Sequence, residues 1–465
     1  AYDIMPSLVG SEMCIRDRTK TIEITKIVAV DDTIKYEIHD HTGLHLLKNE
    51  KVEAWVKYYN AESFGFSPEG LPESILAIPV TLYLIPVTWF YGVKLVVPSI
   101  DKTLYDDLST IYAAYSKIYG PFKEEWRGKV TAKIVVENKM PESRFDNIVF
   151  FSGGVDALHA GIDNLGKRSV LVSVPSIESV EKTKKENSGW DFLNAKSQLI
   201  REFSAISESD WLLITNNFLV NIFDDARIQY DLKNSFNLNS EAFLFDGWFG
   251  IKYLNNILSA APFAYAMGIS NLILGSAFEQ LEDNLASNLD GANPELSDSI
   301  RFAGVFFGEQ DGLYTRRSRK VKNILEWCIA RGKKTRLWTC FADSTEQCCV
   351  CTKCVRTQLN ILCAGENPVD WGFANFNEKN FSRLVRSYCY HDRNLCWLWD
   401  IVDSIDDSTI YPCCDKLLHW LKKVGYKRYS KRARFVSNVP RILKLHRYPH
   451  YVKVVLLKVT GKGHM

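Results

Sequence analysis

The sequence predicts an α/β protein: a parallel sheet with helices on both faces, preceded by an α+β segment and followed by a small zinc-binding segment. Three observations carry this. Apolar runs at 148–151, 169–174, 211–215 and 271–274 alternate with helical patterns at 157–165, 190–204 and 252–267, as parallel strands joined by crossover helices do. The first run ends in the glycine turn Ser152-Gly153-Gly154-Val155-Asp156, and four clustered cysteines, Cys340, Cys348, Cys351 and Cys354, close the pattern.

Taken in order, residues 1–18 contain Ser-Leu-Val-Gly-Ser-Glu-Met-Cys-Ile-Arg-Asp. This run resembles a translated sequencing adapter and is set aside as non-native sequence, Cys14 with it. Residues 19–143 form the N-terminal α+β domain. Within it, 21–30 and 33–39 alternate like a hairpin about Asp31-Asp32. The run 75–97 has the length of a membrane span but holds Pro79, Pro86 and Lys94. Its alternation around Thr81 and Tyr83 predicts two buried strands and no transmembrane segment. Ser99-Ile100-Asp101 offers caps for a helix through Tyr119, Gly120-Pro121 stops it, and 129–136 reads as a strand. His39, His41 and His45 have no matching metal-ligand motif and read as hairpin histidines.

Residues 144–365 form the α/β domain. Ligands of such sheets bind outside the carboxyl ends of the strands, which singles out Ser152 to Asp156, the end at Ser173, Val174 and Pro175, and the end at Gly275 and Ser276. A glycine turn feeding a helix N-terminus is an anion site: backbone N–H groups and the helix dipole face the ligand, and the glycines allow close approach. The stretch 276–298 lacks periodicity and leads to the basic run Arg316-Arg317-Ser318-Arg319-Lys320. It reads as a substrate-binding loop or a disordered insertion, and the basic run as a ligand contact or a solvated helix start.

Cys340, Cys348, Cys351 and Cys354 have the spacing of four thiolates around one tetrahedral Zn²⁺, with Cys349 a spare. A closed four-thiolate site is structural; an iron–sulfur cluster and buried free thiols are the alternatives. Cys389, Cys396, Cys413 and Cys414 are spaced too loosely to define a second site. Residues 366–465 form a helical, basic extension.

Composition sets the outer limits. The 465 residues are 46% hydrophobic and 24% charged, with net charge +2, a globular composition. Residues 415–465 hold 14 Lys and Arg against one acid, interleaved with aromatic residues, so the tail offers a contact for RNA or an anionic surface, or is simply a solvated helix. Eleven of the twelve cysteines lie beyond residue 327. That clustering fits metal binding in a reducing, cytoplasmic setting better than a disulfide scaffold.

Ser-Gly-Gly-x-Asp at 152–156 resembles the pyrophosphate loop of the ATP pyrophosphatase (PP-loop) superfamily. Together with Cys-x7-Cys-x2-Cys-x2-Cys, and with Asp311-Gly312 leading to Arg317-x-x-Lys320, the chain resembles the 7-cyano-7-deazaguanine synthase-like branch of queuosine biosynthesis. It is most similar to longer bacterial forms with an extra N-terminal domain, found in defence and other gene clusters. The resemblance covers about residues 75–365 and implies a Rossmann-like (HUP-type) sheet. It also implies an ATP-dependent ligase that activates a 7-deazaguanine-like carboxylic acid and joins it to ammonia or to an amine, including one on a protein. ATP and Mg²⁺ would bind at Ser152, Gly153, Gly154, Val155 and Asp156, with Ser173, Val174, Pro175, Gly275 and Ser276 around the nucleotide. Asp156, Ser152, Lys252, Arg317 and Lys320 would serve the reaction, and Cys340, Cys348, Cys351 and Cys354 would hold Zn²⁺. Two positions depart from the family: Ala157 replaces a second Ser of the loop, and Lys252 an Arg. Two other readings therefore stay open: a catalytically degenerate nucleotide-binding or scaffold protein of a defence or surface-polysaccharide cluster, and an RNA-modifying PP-loop enzyme.

Overall fold

The computed structural model describes residues 20–119, 128–164, 168–175, 188–234, 258–276, 294–306, 309–340, 346–389, 395–406 and 414–431. The described residues up to Ser276, with those between Pro294 and Leu313, make one compact unit; those from Tyr314 onward make a second.

The first unit is organised on one sheet of ten strands. These are β1 (Thr21–Val30), β2 (Thr33–Asp40), β3 (Lys51–Tyr59), β4 (Lys94–Asp101), β5 (Val130–Val136), β6 (Asn147–Phe150), β7 (Ser169–Ser173), β8 (Asp210–Asn216), β9 (Asn271–Gly275) and β12 (Glu309–Asp311). Two short strands, β10 (Arg301–Phe302) and β11 (Val305–Phe306), pair only with each other. The order across the large sheet is β12-β9-β6-β7-β8-β3-β2-β1-β4-β5. Six of its nine pairings are parallel; β1 with β2, β2 with β3 and β3 with β8 are antiparallel. The N-terminal strands and the α/β strands, read from sequence as separate segments, thus share one sheet.

Burial explains the strand types. Every residue of β6 and β7 is buried, as expected for central parallel strands covered on both faces. β3 alternates buried and more open positions, its side chains Val52, Ala54, Val56 and Tyr58 facing the core. Counting only β6, β7, β8, β9 and β12, the spatial order is third, second, first, fourth, fifth, so the chain reverses direction across the sheet between β6 and β9.

The apolar run 75–97 departs from its predicted form. Instead of two strands it makes a helical turn (Glu73–Leu76), helix α1 (Ile78–Phe90) and β4. All thirteen residues of α1 are buried. A run apolar on every side suits a helix enclosed all round, and thirteen residues exceed an ordinary strand. Pro79 sits in the first turn, where its missing N–H costs nothing. Among the described residues no helix is long and apolar enough to cross a membrane. Helix α2 (Lys102–Tyr119) forms where expected, with Leu104 N–H donating to Asp101 Oδ1 at 3.1 Å.

Helices α3 (Val155–Asp163), α4 (Ser188–Ser207) and α5 (Asp225–Asn234) complete the described longer helices of this unit. The second unit is helical: α6 (Arg317–Ala330), α7 (Thr352–Cys363), α8 (Glu378–Cys389), α9 (Leu395–Ser404) and α10 (Asp415–Val424). Its core joins Val355, Leu359, Phe381, Val385, Leu398 and Leu418. The basic tail beyond Lys431 lies outside the described residues.

Candidate functional site

The glycine turn stands between β6 and α3, at the reversal point of the strand order. Phe151 N–H still donates to Val172 O at 2.8 Å, and the Phe151 ring stacks on Phe203 of α4 with centroids 5.0 Å apart. Gly153 then takes φ +78°, a conformation that glycine adopts without steric cost. Gly154 returns to an extended conformation as the N-cap of α3, and its N–H donates to Ser152 Oγ at 3.3 Å. The Ser152 side chain is exposed, Asp156 is half-buried in the first helical turn, and Val155 and Ala157 are buried. The turn therefore presents one hydroxyl, one carboxylate and the amide end of a nine-residue helix at a single place.

The neighbouring strand ends frame it. At Gly275 a Cβ would fall 2.4 Å from the carbonyl carbon and oxygen of Asp156 and 2.7 Å from Ala157 N, so β9 meets the start of α3 backbone to backbone. Ser276 is fully buried, and its N–H donates to Asp311 O at 2.9 Å. Ser173 and Pro175 are buried at the end of β7 and Val174 is half-buried. Sequence reasoning missed Lys196 of α4, whose Nζ donates to Ser152 O at 3.4 Å. Only its position in a predicted helix after the second strand hinted at it.

Of the remaining expected site residues, Lys252 lies outside the described residues. Arg317 and Lys320 belong to the second unit, in the first turn of α6, and are only 7% and 1% exposed. Arg317 lies 5.0 Å from the ring centre of Trp397, and Arg356 packs 4.2 Å from the same ring. Asp400 accepts from Ser318 N–H at 2.9 Å and Ser318 O–H at 2.6 Å. Burial raises its carboxyl above the ordinary range, while these hydrogen bonds oppose the shift.

The four cysteines converge. The sulfurs of Cys340, Cys348, Cys351 and Cys354 all lie within 4.8 Å of one another. Cys348 and Cys354 sulfurs are 3.9 Å apart, against ~3.8 Å for two thiolates on a tetrahedral Zn²⁺ with bonds of ~2.3 Å. Backbone N–H groups of Cys348, Cys351 and Cys354 point at the sulfurs of Cys340, Cys348 and Cys351, at 3.3, 3.3 and 3.5 Å. Amide donors aimed at sulfur stabilise negative thiolates. In the protein without metal, the hydrogen bond with Cys351, then burial and the neighbouring sulfurs, holds the Cys354 thiol well above its usual range. Metal binding must therefore displace protons, and the donor set fits a tetrahedral thiophilic ion.

Cys349 turns away from the cluster, with φ +58°, a buried side chain and its S–H directed at Gln347 O. Gln347 itself, unremarked in the sequence, braces the site: its Oε1 accepts from Thr339 N–H at 2.8 Å, and its Nε2 donates to Leu337 O at 2.6 Å and Gly372 O at 2.9 Å. Cys389 and Cys414 are buried and form no disulfide among the described residues. The side chain of Cys396 and residue Cys413 lie outside the described residues, and no second thiol cluster appears among those described. Comparison with protein-family models, with curated proteins and with solved structures finds no match to this chain.

Proposed function

We propose that the first unit binds ATP at the Ser152–Asp156 turn and uses it to activate a carboxylic acid for carbon–nitrogen bond formation, as the resemblance to 7-cyano-7-deazaguanine synthases implies. The observation that carries this reading is the position of the turn. A glycine turn feeding a helix N-terminus stands where the strand order reverses, and open α/β sheets bind their ligands in that crevice. The order third, second, first, fourth, fifth is also that of a Rossmann-like sheet.

In this reading the phosphates lie against Gly153, Gly154 and the first turn of α3, with Ser152 Oγ and Lys196 beside them. The adenosine lies along Ser173, Val174 and Pro175. Asp156 would hold Mg²⁺, which supplies charge neutralisation on the pyrophosphate. The substrate carboxylate oxygen attacks the α-phosphorus and pyrophosphate leaves with the electron pair of the broken P–O bond. Ammonia or an amine then attacks the acyl carbon, loses a proton and expels AMP. Preorganised amides and Lys196 would stabilise charge on the departing phosphate oxygens. Cys340, Cys348, Cys351 and Cys354 would hold a structural Zn²⁺ in the second unit.

A second reading, nucleotide binding without turnover, is favoured by Ala157. Its methyl is buried, where the family carries a hydroxyl.

Pyrophosphate release from ATP in the presence of deazaguanine acids and amines separates the two. Asp156→Asn is expected to abolish release while leaving the circular dichroism spectrum unchanged. Full activity in that variant would remove the turn from the reaction. ATP binding without pyrophosphate release in the parent protein would select the second reading.

A further inference from the structure

α3 carries the glycine turn at its N-terminus; its C-terminal end holds a separate cluster. His159, 4% exposed, directs Nδ1 toward two carboxylates. One is Asp163 one helical turn later, with Oδ2 at 3.0 Å, and the other is Asp311 at the end of β12, with Oδ1 at 3.7 Å. The second oxygen of Asp311 accepts from Asn164 Nδ2 at 2.9 Å. One ligand atom from each of His159, Asp163 and Asp311 lies within 4.8 Å of the other two. We propose that these three residues bind a first-row divalent cation, of the manganese-to-zinc series, at a centre distinct from the four thiolates.

The spacing suits the chemistry. Two donors bound at ~2.0–2.2 Å to one such ion stand about 3.0–3.6 Å apart, and the separations from His159 Nδ1 are close to that range. A nitrogen donor beside two carboxylates is unlike the all-oxygen shells of Ca²⁺ and Mg²⁺ and matches the borderline metals. Even with the imidazole protonated, the trio sums to −1, so an added cation is electrostatically welcome. The last turn of α3 adds the negative end of the helix dipole. Asn164 holds Asp311 with one oxygen turned to His159, as partners of metal-ligating carboxylates do. Asp163 is 44% exposed and Asp311 18%, leaving an approach for the ion and for water to complete its shell. A plain His–Asp ion pair would use one carboxylate; the buried imidazole here faces two, delivered by different elements.

The consequence is mechanical. Asp311 O also accepts from Ser276 N–H, so a cation here would clasp the end of α3 to the strand end that braces β9 beside the glycine turn.

Mn²⁺ is the probe, because thiolate sites discriminate against it. Nucleotide-free full-length protein, with its thiolate site filled by one equivalent of Zn²⁺, is titrated while electron paramagnetic resonance reads free Mn²⁺. We expect one Mn²⁺ bound per chain, with binding weakened at least tenfold by Asp163→Asn and by Asp311→Asn. Electron spin-echo modulation should show a directly bound nitrogen, lost in His159→Gln. Asp163 is exposed at a helix end, so its variant remains decisive if His159→Gln fails to fold. Absence of Mn²⁺ binding at millimolar concentration, or equal binding in Asp163→Asn, overturns the site. Because no ATP is present, either result is independent of the proposed ligase activity.

Discussion

Replacing Gly275 with Ala tests how closely the glycine turn depends on its neighbour strand. The added Cβ would stand 2.4 Å from the Asp156 carbonyl group, where ordinary contact begins near 3.4 Å, so one backbone must retreat by about 1 Å. Gly275 does not have a positive φ, so Ala suits its conformation, and the reduced freedom of the unfolded chain returns ~0.4–1 kcal/mol. Overpacking against main chain costs ~1–3 kcal/mol, and a site displaced by ~1 Å can lose on the order of a hundredfold in rate. Urea unfolding should show a net loss of about 1–2 kcal/mol, and, on the proposed function, calorimetry should show ATP affinity reduced at least tenfold. Gly304→Ala is the control: its φ is +81° with no atom within 4 Å of the added Cβ. It should cost ~1–2 kcal/mol of backbone strain with ATP binding unaltered. If Gly275→Ala binds ATP like the parent, the turn is not positioned by β9 and the reasoning fails.

Gln347→Ala removes four hydrogen bonds around the thiolate centre, three of them buried. It is expected to cost about 2–4 kcal/mol and to speed zinc release to a colorimetric chelator, whereas unchanged release would mean that the loop holds its form without the amide. Burial pushes the Cys328 thiol from 9.0 up to about 11. Its contribution is therefore intact below pH ~9 and lost as pH rises toward 11, where the unfolded chain ionises first; Cys328→Ala should flatten that alkaline fall in urea midpoint. Removing residues 1–143 would strip β3 from β8, leaving a long unpaired edge, and the remainder is expected to aggregate on size-exclusion chromatography; a soluble monomer with native circular dichroism would contradict this.

What was legible followed from how local the signal is. β6, β7 and β9 fall within about a residue of their predicted runs, because a strand buried on both faces must be continuously apolar. The thiolate centre was equally readable, since three of its four ligands lie within seven consecutive residues and converge by local geometry alone. Helix α1 was not: an all-apolar segment satisfies strand and helix alike, and only its length and the placement of Pro79 decide. β3 carries a plain alternation, Lys51-Val52-Glu53-Ala54-Trp55-Val56, which marks a half-buried strand but not the strands it pairs with. β12 is three residues long, too short for any period. With β12 unseen, the encounter of Asp311 with His159 was invisible, although His159 and Asp163 stand at helical i,i+4 spacing. Gln347 shows the same limit, since its partners come from loops on both sides of the cluster.

The antiparallel seam between β8 and β3 bears on the site more than its distance along the sheet suggests. A five-stranded parallel half ending at β8 would offer a row of unpaired backbone groups at that edge. β3 supplies the pairing, Val56 opposite Asn216 through Tyr59 opposite Leu213. Side chains lock the seam at both ends: Trp55 N–H donates to Asn217 Oδ1 at 2.8 Å, and Asn60 Nδ2 donates to Trp211 O at 2.8 Å. Tyr58 O–H crosses to Ser259 O at 2.9 Å, and Ser259 Oγ in turn accepts from Asn216 Nδ2 at 2.9 Å. Ser259 lies in the turn Leu258–Ala260, which leads through the short helix Ala261–Ala266 into β9, the strand whose end meets the glycine turn. The N-terminal strands therefore do not merely accompany the α/β half: through Tyr58 and Ser259 they fix the approach of β9, and with it the wall of the crevice at Gly275.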